Sequence, residues 1–118
     1  MKIKQLYLDS IADDLAIMSS FIVDLYQHRC YTFEMERTIK YADLELRCTK
    51  DGFYNILSEQ ELTPLVTKIY LNDIIKHSSN ILSMLSDENI CELTPTIINI
   101  ISTCHEALVA HNLISLDN

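Results

Sequence analysis

The sequence predicts an all-α fold, a compact bundle of about four to six helices with a long N-terminal helix. Three observations carry that expectation. Apolar residues recur at three- and four-residue steps over most of the chain. Gly52 is the single glycine and Pro64 and Pro95 the two prolines, and sheets need far more of both for their turns. Two Thr-Pro steps, Thr63-Pro64 and Thr94-Pro95, read as an N-cap followed by an N1 proline. With 118 residues, 48% of them apolar, the chain is one helical domain, residues 1–118, with enough apolar side chains for a core.

The first helix has the clearest pattern. Leu8, Ile11, Leu15, Met18, Ile22 and Leu25 step by 3, 4, 3, 4 and 3, one apolar stripe over about five turns. Phe21 and Val23 widen it, as expected of a central helix with several neighbours. Asp9, Asp13 and Asp14 are placed near its start, where the helix dipole favours carboxylates.

Residues 30–57 carry two patterns. As a helix, Met35, Ile39, Ala42 and Leu46 share a face, Glu36–Lys40 and Asp43–Arg47 are i,i+4 pairs, Thr32 caps the start and Gly52 follows the end. The alternative is α+β, with a small hairpin or meander. Tyr31, Phe33 and Met35 alternate with polar residues, Leu44, Leu46 and Cys48 do the same, and Asp51-Gly52 turns into Phe53–Leu57. The ion-pair orientation and the content of helix formers favour the helix.

Beyond residue 57 the punctuation is stronger. Ser58 and Glu61 form a capping-box pattern. After Thr63-Pro64 the apolar face runs Val66, Ile69, Tyr70, Ile74, and the polar stretch 77–80 is expected to bend or break the helix before Ile81–Leu85. After Thr94-Pro95, residues 97–113 are apolar over most of a helix circumference, which predicts the most buried helix. Glu61-Leu62-Thr63-Pro64 recurs 31 residues on as Glu92-Leu93-Thr94-Pro95, and the offset pairs Ile69 with Ile100 and Leu85 with Leu116. Two helices begun by the same cap account for this as well as a duplication does.

Charge narrows the partners. Lys and Arg number 9, Asp and Glu 17, for a net charge of −8. Such a surface repels phosphate, so neither nucleic acid nor an anionic membrane is expected, and a basic protein is the natural complement. Beyond Lys76 there is no Lys or Arg, while Asp87, Glu88, Glu92, Glu106 and Asp117 remain. The four cysteines, Cys30, Cys48, Cys91 and Cys104, have no close pair of the zinc-ligand kind and read as free thiols in a reducing cytoplasm. The start has no signal-peptide core, and no apolar run is long enough to span a bilayer.

Chemistry-bearing constellations are sparse. Asp24 with His28 and Asp73 with His77 are Asp-x3-His pairs, which would make four metal ligands if their helices faced each other. The ExxH carboxylates of dimetal bundles are missing, and surface contacts explain the pairs equally. Cys104 and His105 point about 100° apart on a helix, so His105 cannot activate Cys104. The late Arg–His motif of HEPN-type ribonucleases and the repeated ExxE pairs of MazG-type pyrophosphohydrolases do not occur. The expectation is therefore no enzyme, no cofactor and no metal.

What remains is an acidic surface with six tyrosines and no tryptophan. Tyrosine combines contact area with a polar tip and is favoured at interfaces. Glu34, Glu36, Tyr41, Asp43, Glu45 and Tyr54 form one candidate partner-binding face, and Asp87, Glu88 and Glu92 another. In kind, small acidic single-domain proteins such as this resemble immunity proteins and antitoxins, which cap a cationic toxin. The expected function is thus a non-catalytic inhibitor of a basic toxin, a nuclease in particular. Two alternatives stand beside it: a helical adaptor, of the viral host-interaction kind, with an apolar groove for a partner helix, and a structural homodimer joined through the last helix.

Overall fold

The computed structural model describes residues 1–59 and 61–115. Four helices account for most of them: α1 (Gln5–His28), α2 (Phe33–Ser58), α3 (Pro64–Asp87) and α4 (Thr94–Ala110). No strand occurs among the described residues. Leu116 and Asp117 lie outside them.

Hydrogen bonds give the direction of each helix. Along α1 the partners on α4 recede: Lys4 N–H donates to His111 Nε2 (3.2 Å), the Ser10 and Thr103 hydroxyls meet at 3.3 Å, and Asn99 Nδ2 donates to Asp14 Oδ2 (2.7 Å). α1 and α4 are therefore antiparallel. Thr38 with Glu88 and Glu45 with His77 show the same for α2 and α3. Each helix packs on its sequence neighbours, α4 closes on α1, and the backbones of the diagonal pairs do not approach closely. The result is an up-down-up-down four-helix bundle, 46 Å long and 20 to 23 Å across. α2 and α3 share the most extensive interface, α1 and α2 the thinnest.

This square arrangement corrects two expectations. Neither α1 nor α4 is a central helix, because each has two neighbours and an open outer side. Ile17 and Val23 are exposed on α1, Ile98 and Val109 on α4. Their buried stripes are Ile11, Leu15, Met18, Ile22 and Leu25 on one, and Ile97, Ile100, Cys104, Ala107 and Leu108 on the other.

α2 settles residues 30–57 as helix. Thr32 caps it, accepting from Met35 N–H at 3.0 Å, and Glu36–Lys40 and Asp43–Arg47 pair at 3.5 and 3.1 Å. The hairpin alternative is not adopted, because the helical phase puts Ile39, Ala42, Leu46, Thr49, Gly52, Phe53 and Ile56 on one buried stripe. Gly52 does not follow the helix end. It lies inside α2 where α3 comes close, and a Cβ there would meet Ile74 Cγ1 at 3.4 Å and the Tyr70 carbonyl oxygen at 3.6 Å.

The starts and ends of the remaining helices differ from expectation in detail. α1 has no acidic residue in its first turn, so Asp9, Asp13 and Asp14 lie beyond the reach of its N-terminal dipole. Ser58 ends α2 and does not open a capping box. Thr63 caps α3, its Oγ1 accepting from Val66 N–H at 3.2 Å. Residues 77–80 do not interrupt α3, since Ser79 bonds its own helix through the Ile75 carbonyl (2.8 Å). At α4 the cap position is Leu93 and Thr94 is already helical, because burying Leu93 takes precedence. The two Thr-Pro steps are thus not equivalent, and Ile69 is exposed where its match Ile100 is buried. α3 and α4 do end alike. Asn89 and Asn112 adopt left-handed backbone (φ 57° and 55°), and Ile90 N–H and Leu113 N–H reach back to Leu85 and Leu108 carbonyls at 2.8 Å. These are Schellman endings with asparagine in place of glycine, each sealed by a buried side chain, Ile90 or Leu113.

Candidate functional site

The acidic residues singled out on α2 do not form one face. A helix turns about 100° per residue, which sends Glu36, Asp43 and Tyr54 to the flank near α1 and Glu34, Tyr41 and Glu45 to the flank near α3. Their neighbours agree: Glu36 and Asp43 act on Tyr26 of α1, whereas Glu45 meets His77 of α3 at 2.5 Å. Much of this charge is also committed, to Lys40, Arg47 and His77. Tyr41 and Tyr54 are exposed, on opposite flanks.

The second set clusters at one end of the bundle. Asp87 closes α3 and is exposed. Glu88 accepts from Thr38 Oγ1 (3.0 Å), and Glu92 accepts from Arg29 Nη1 (2.6 Å), which holds its carboxyl below the usual range. Both contacts clasp the α1–α2 corner to the α3–α4 corner. The Asp-x3-His pairs do not converge. Asp24 and His28 face each other across 3.9 Å on the exposed side of α1, while His77 turns to Glu45. Among the described residues no three His, Cys, Asp or Glu side chains gather closely enough for a metal ion. No described helix is long and apolar enough to cross a membrane.

A different face emerges from the fold. α1 and α4 pack together, and neither contains a Lys or an Arg. They carry Asp9, Asp13, Asp24 and Glu106 on the outside and Asp14 within the seam. Lys4 precedes α1 and Arg29 follows it, the latter engaged by Glu92, and Lys50 of α2 stands across the groove on the other flank of α1. Six of the nine basic residues, Arg37, Lys40, Arg47, Lys50, Lys68 and Lys76, belong to α2 and α3. The bundle is therefore electrically two-sided. The signal was legible as the absence of any cation between Lys4 and Arg29 and after Lys76, but only the α1–α4 pairing joins the two absences into one surface.

Polar groups line this seam. Asn99 Nδ2 donates to Asp14 Oδ2 and, at 3.4 Å, to Ser10 Oγ, whose hydroxyl meets Thr103. Burial raises the Asp14 pKa, the Asn99 hydrogen bond opposes that, and Asp13 adds to it. Burial, with Asp14 next, pushes the Cys104 thiol up to about 12. Cys104 is thus a core side chain and not a nucleophile at neutral pH. Shallow depressions run along the outside. One of about 560 Å³ is lined by Ala16, Ile17, Ser20, Phe21 and Asp24, and one of about 210 Å³ by Ser10, Asn99, Ser102 and Glu106 among others. A further groove of about 340 Å³, between Ala12, Ala16 and Ser19 of α1 and Lys50, Tyr54 and Leu57 of α2, follows the thin α1–α2 interface.

No protein-family model matches the chain, and comparison with curated proteins and with solved structures finds no match either.

Proposed function

We propose that the chain is a non-catalytic acidic binding module that engages a basic protein, in the manner of an inhibitor capping a cationic toxin. The observation that carries this reading is the cation-free α1–α4 half of the bundle. Fixed carboxylates on a rigid helix pair, without cations among them, set up a one-signed field that steers a positive partner and speeds its association. The α2 carboxylates contribute less, because Lys40 and Arg47 pair with Glu36 and Asp43 and Glu45 is engaged by His77. The end cluster of Asp87, Glu88 and Glu92 extends the field at one edge.

The test is capture at low salt from the source cell with three baits: the unchanged chain, a variant with Asp13, Asp24 and Glu106 all changed to Lys, and a variant with Glu34, Glu36, Asp43 and Glu45 all changed to Ala. A basic protein retained by the first and third, lost by the second and released by added salt supports the reading. Retention indifferent to salt and to the lysine changes refutes it. The α1–α2 groove, with Tyr54 and Leu57 exposed at its rim, supports a second reading, an adaptor that takes an apolar helix. Its partner would survive high salt and be lost on Leu57→Asp.

A further inference from the structure

We infer that the outer face of α1 seats a basic amphipathic helix whose cations are three turns apart, with apolar side chains between them. This rests on the α1–α4 face being the binding face and specifies what it recognises. Asp13, Ile17, Ser20 and Asp24 stand at i, i+4, i+7 and i+11, so they form one stripe along the helix, within about 60° of one another. The two carboxylates are about 16 Å apart along the axis, from a 1.5 Å rise per residue. On this stripe lies a shallow depression of about 560 Å³, lined by Ala16, Ile17, Ser20, Phe21 and Asp24. Ile17 is 51% exposed at its centre and Val23 is exposed beside it. Ile17 has half its surface in water, in a shallow depression with Asp24 at its rim and Asp13 one turn before it.

The complement of this surface is read from the stripe. Ala16 and Ser20 are small, so a helix can come close enough to bury its own side chains in the dip and to cover Ile17. A partner running along α1 matches the carboxylates with cations eleven residues apart and fills the dip with apolar residues four and seven positions on. Such a partner uses both terms: burial of apolar area supplies affinity, and the charge spacing supplies register. A second copy of this chain is the poorer occupant, because a net charge of −8 opposes self-association. A phosphate-bearing ligand is repelled outright.

The probe is a synthetic helical peptide with two arginines eleven positions apart and leucines at the fourth and seventh intervening positions. Its control has the same composition with the arginines moved together. Binding is measured by fluorescence anisotropy, and the bound face is mapped by amide chemical shifts. The patterned peptide should bind about tenfold more tightly than the control, with shifts centred on residues 13–24. Asp13→Asn with Asp24→Asn should lower affinity and flatten its salt dependence, whereas Ile17→Ser should lower affinity at all salt concentrations. Equal binding of the two peptides on α1 would overturn the spacing inference and leave the acidic-module reading standing. No binding of either, or shifts confined to α2 and α3, would overturn both. Dimerisation of the chain through α1, seen by sedimentation without peptide, would assign the face to a second copy and overturn the inference.

Discussion

Replacing Gly52 by alanine should stabilise the protein, although the position is fully enclosed. Glycine inside a helix costs about 1 kcal/mol relative to alanine, through the freedom it loses on folding. Gly52 has ordinary helical backbone, with no positive φ, so alanine adopts its conformation without strain. The question is space. The added Cβ meets Ile74 Cγ1 at 3.4 Å and the Tyr70 carbonyl oxygen at 3.6 Å, which are van der Waals contacts and not overlaps. Ile74 can yield a few tenths of an ångström, and the new methyl group buries apolar area. The expected gain is about 0.5–1 kcal/mol, or about 2–5 °C in Tm for a domain of this size. A larger side chain has no such room: Gly52→Leu drives into α3 and should cost about 1–3 kcal/mol. Urea unfolding followed by circular dichroism measures both. Loss of stability in Gly52→Ala would show that α2 and α3 are already at closest approach. A Gly52→Leu protein as stable as the original would mean that the helices do not meet there.

Other positions give further checks. Ser78 Oγ is buried without a hydrogen-bond partner, so Ser78→Ala should stabilise by about 1 kcal/mol in the same unfolding assay. Asp14 has its pKa raised mainly by burial. Its contribution is therefore most favourable at acid pH and is lost as pH rises through the raised value, and Asp14→Asn should gain stability at pH 7 and lose that gain by pH 4. A constant difference across that range would put the raised pKa in error. Cys48 and Cys91 are exposed and Cys104 is buried with its thiol near 12, so a disulfide reagent at pH 8 should modify the first two in the native state and Cys104 only with unfolding.

The stripe of α1 was readable because its spacing serves a single core face, and Thr32 and Thr63 were readable as caps because their side chains do what isolated helix starts need. The ends of α3 and α4 were not, because asparagine replaces the glycine that marks a left-handed ending. Gly52 misled for the converse reason. It looked like a turn residue, and its use is the absence of a side chain between two helices. The α2 carboxylates looked like one acidic patch because sequence proximity hides the 100° step between neighbours. Asp14 lies well beyond the first turn of α1, at the edge of its apolar stripe, and that position was itself a sign of burial.

The bonds that close α1 onto α4 join residues 85, 93 and 107 positions apart. Bringing such distant segments together has the largest loop entropy in this topology, whereas α2 and α3 meet across a short connection. The polar seam is therefore the contact of highest sequence separation in the bundle, the one that closes its four helices into a ring. A partner that lies across α1 and α4 recognises only the finished ring and slows its opening. The acidic half then reports completion of the fold as well as charge: a target bound across α1 and α4 should slow amide exchange along the seam, which hydrogen exchange with and without the target would measure.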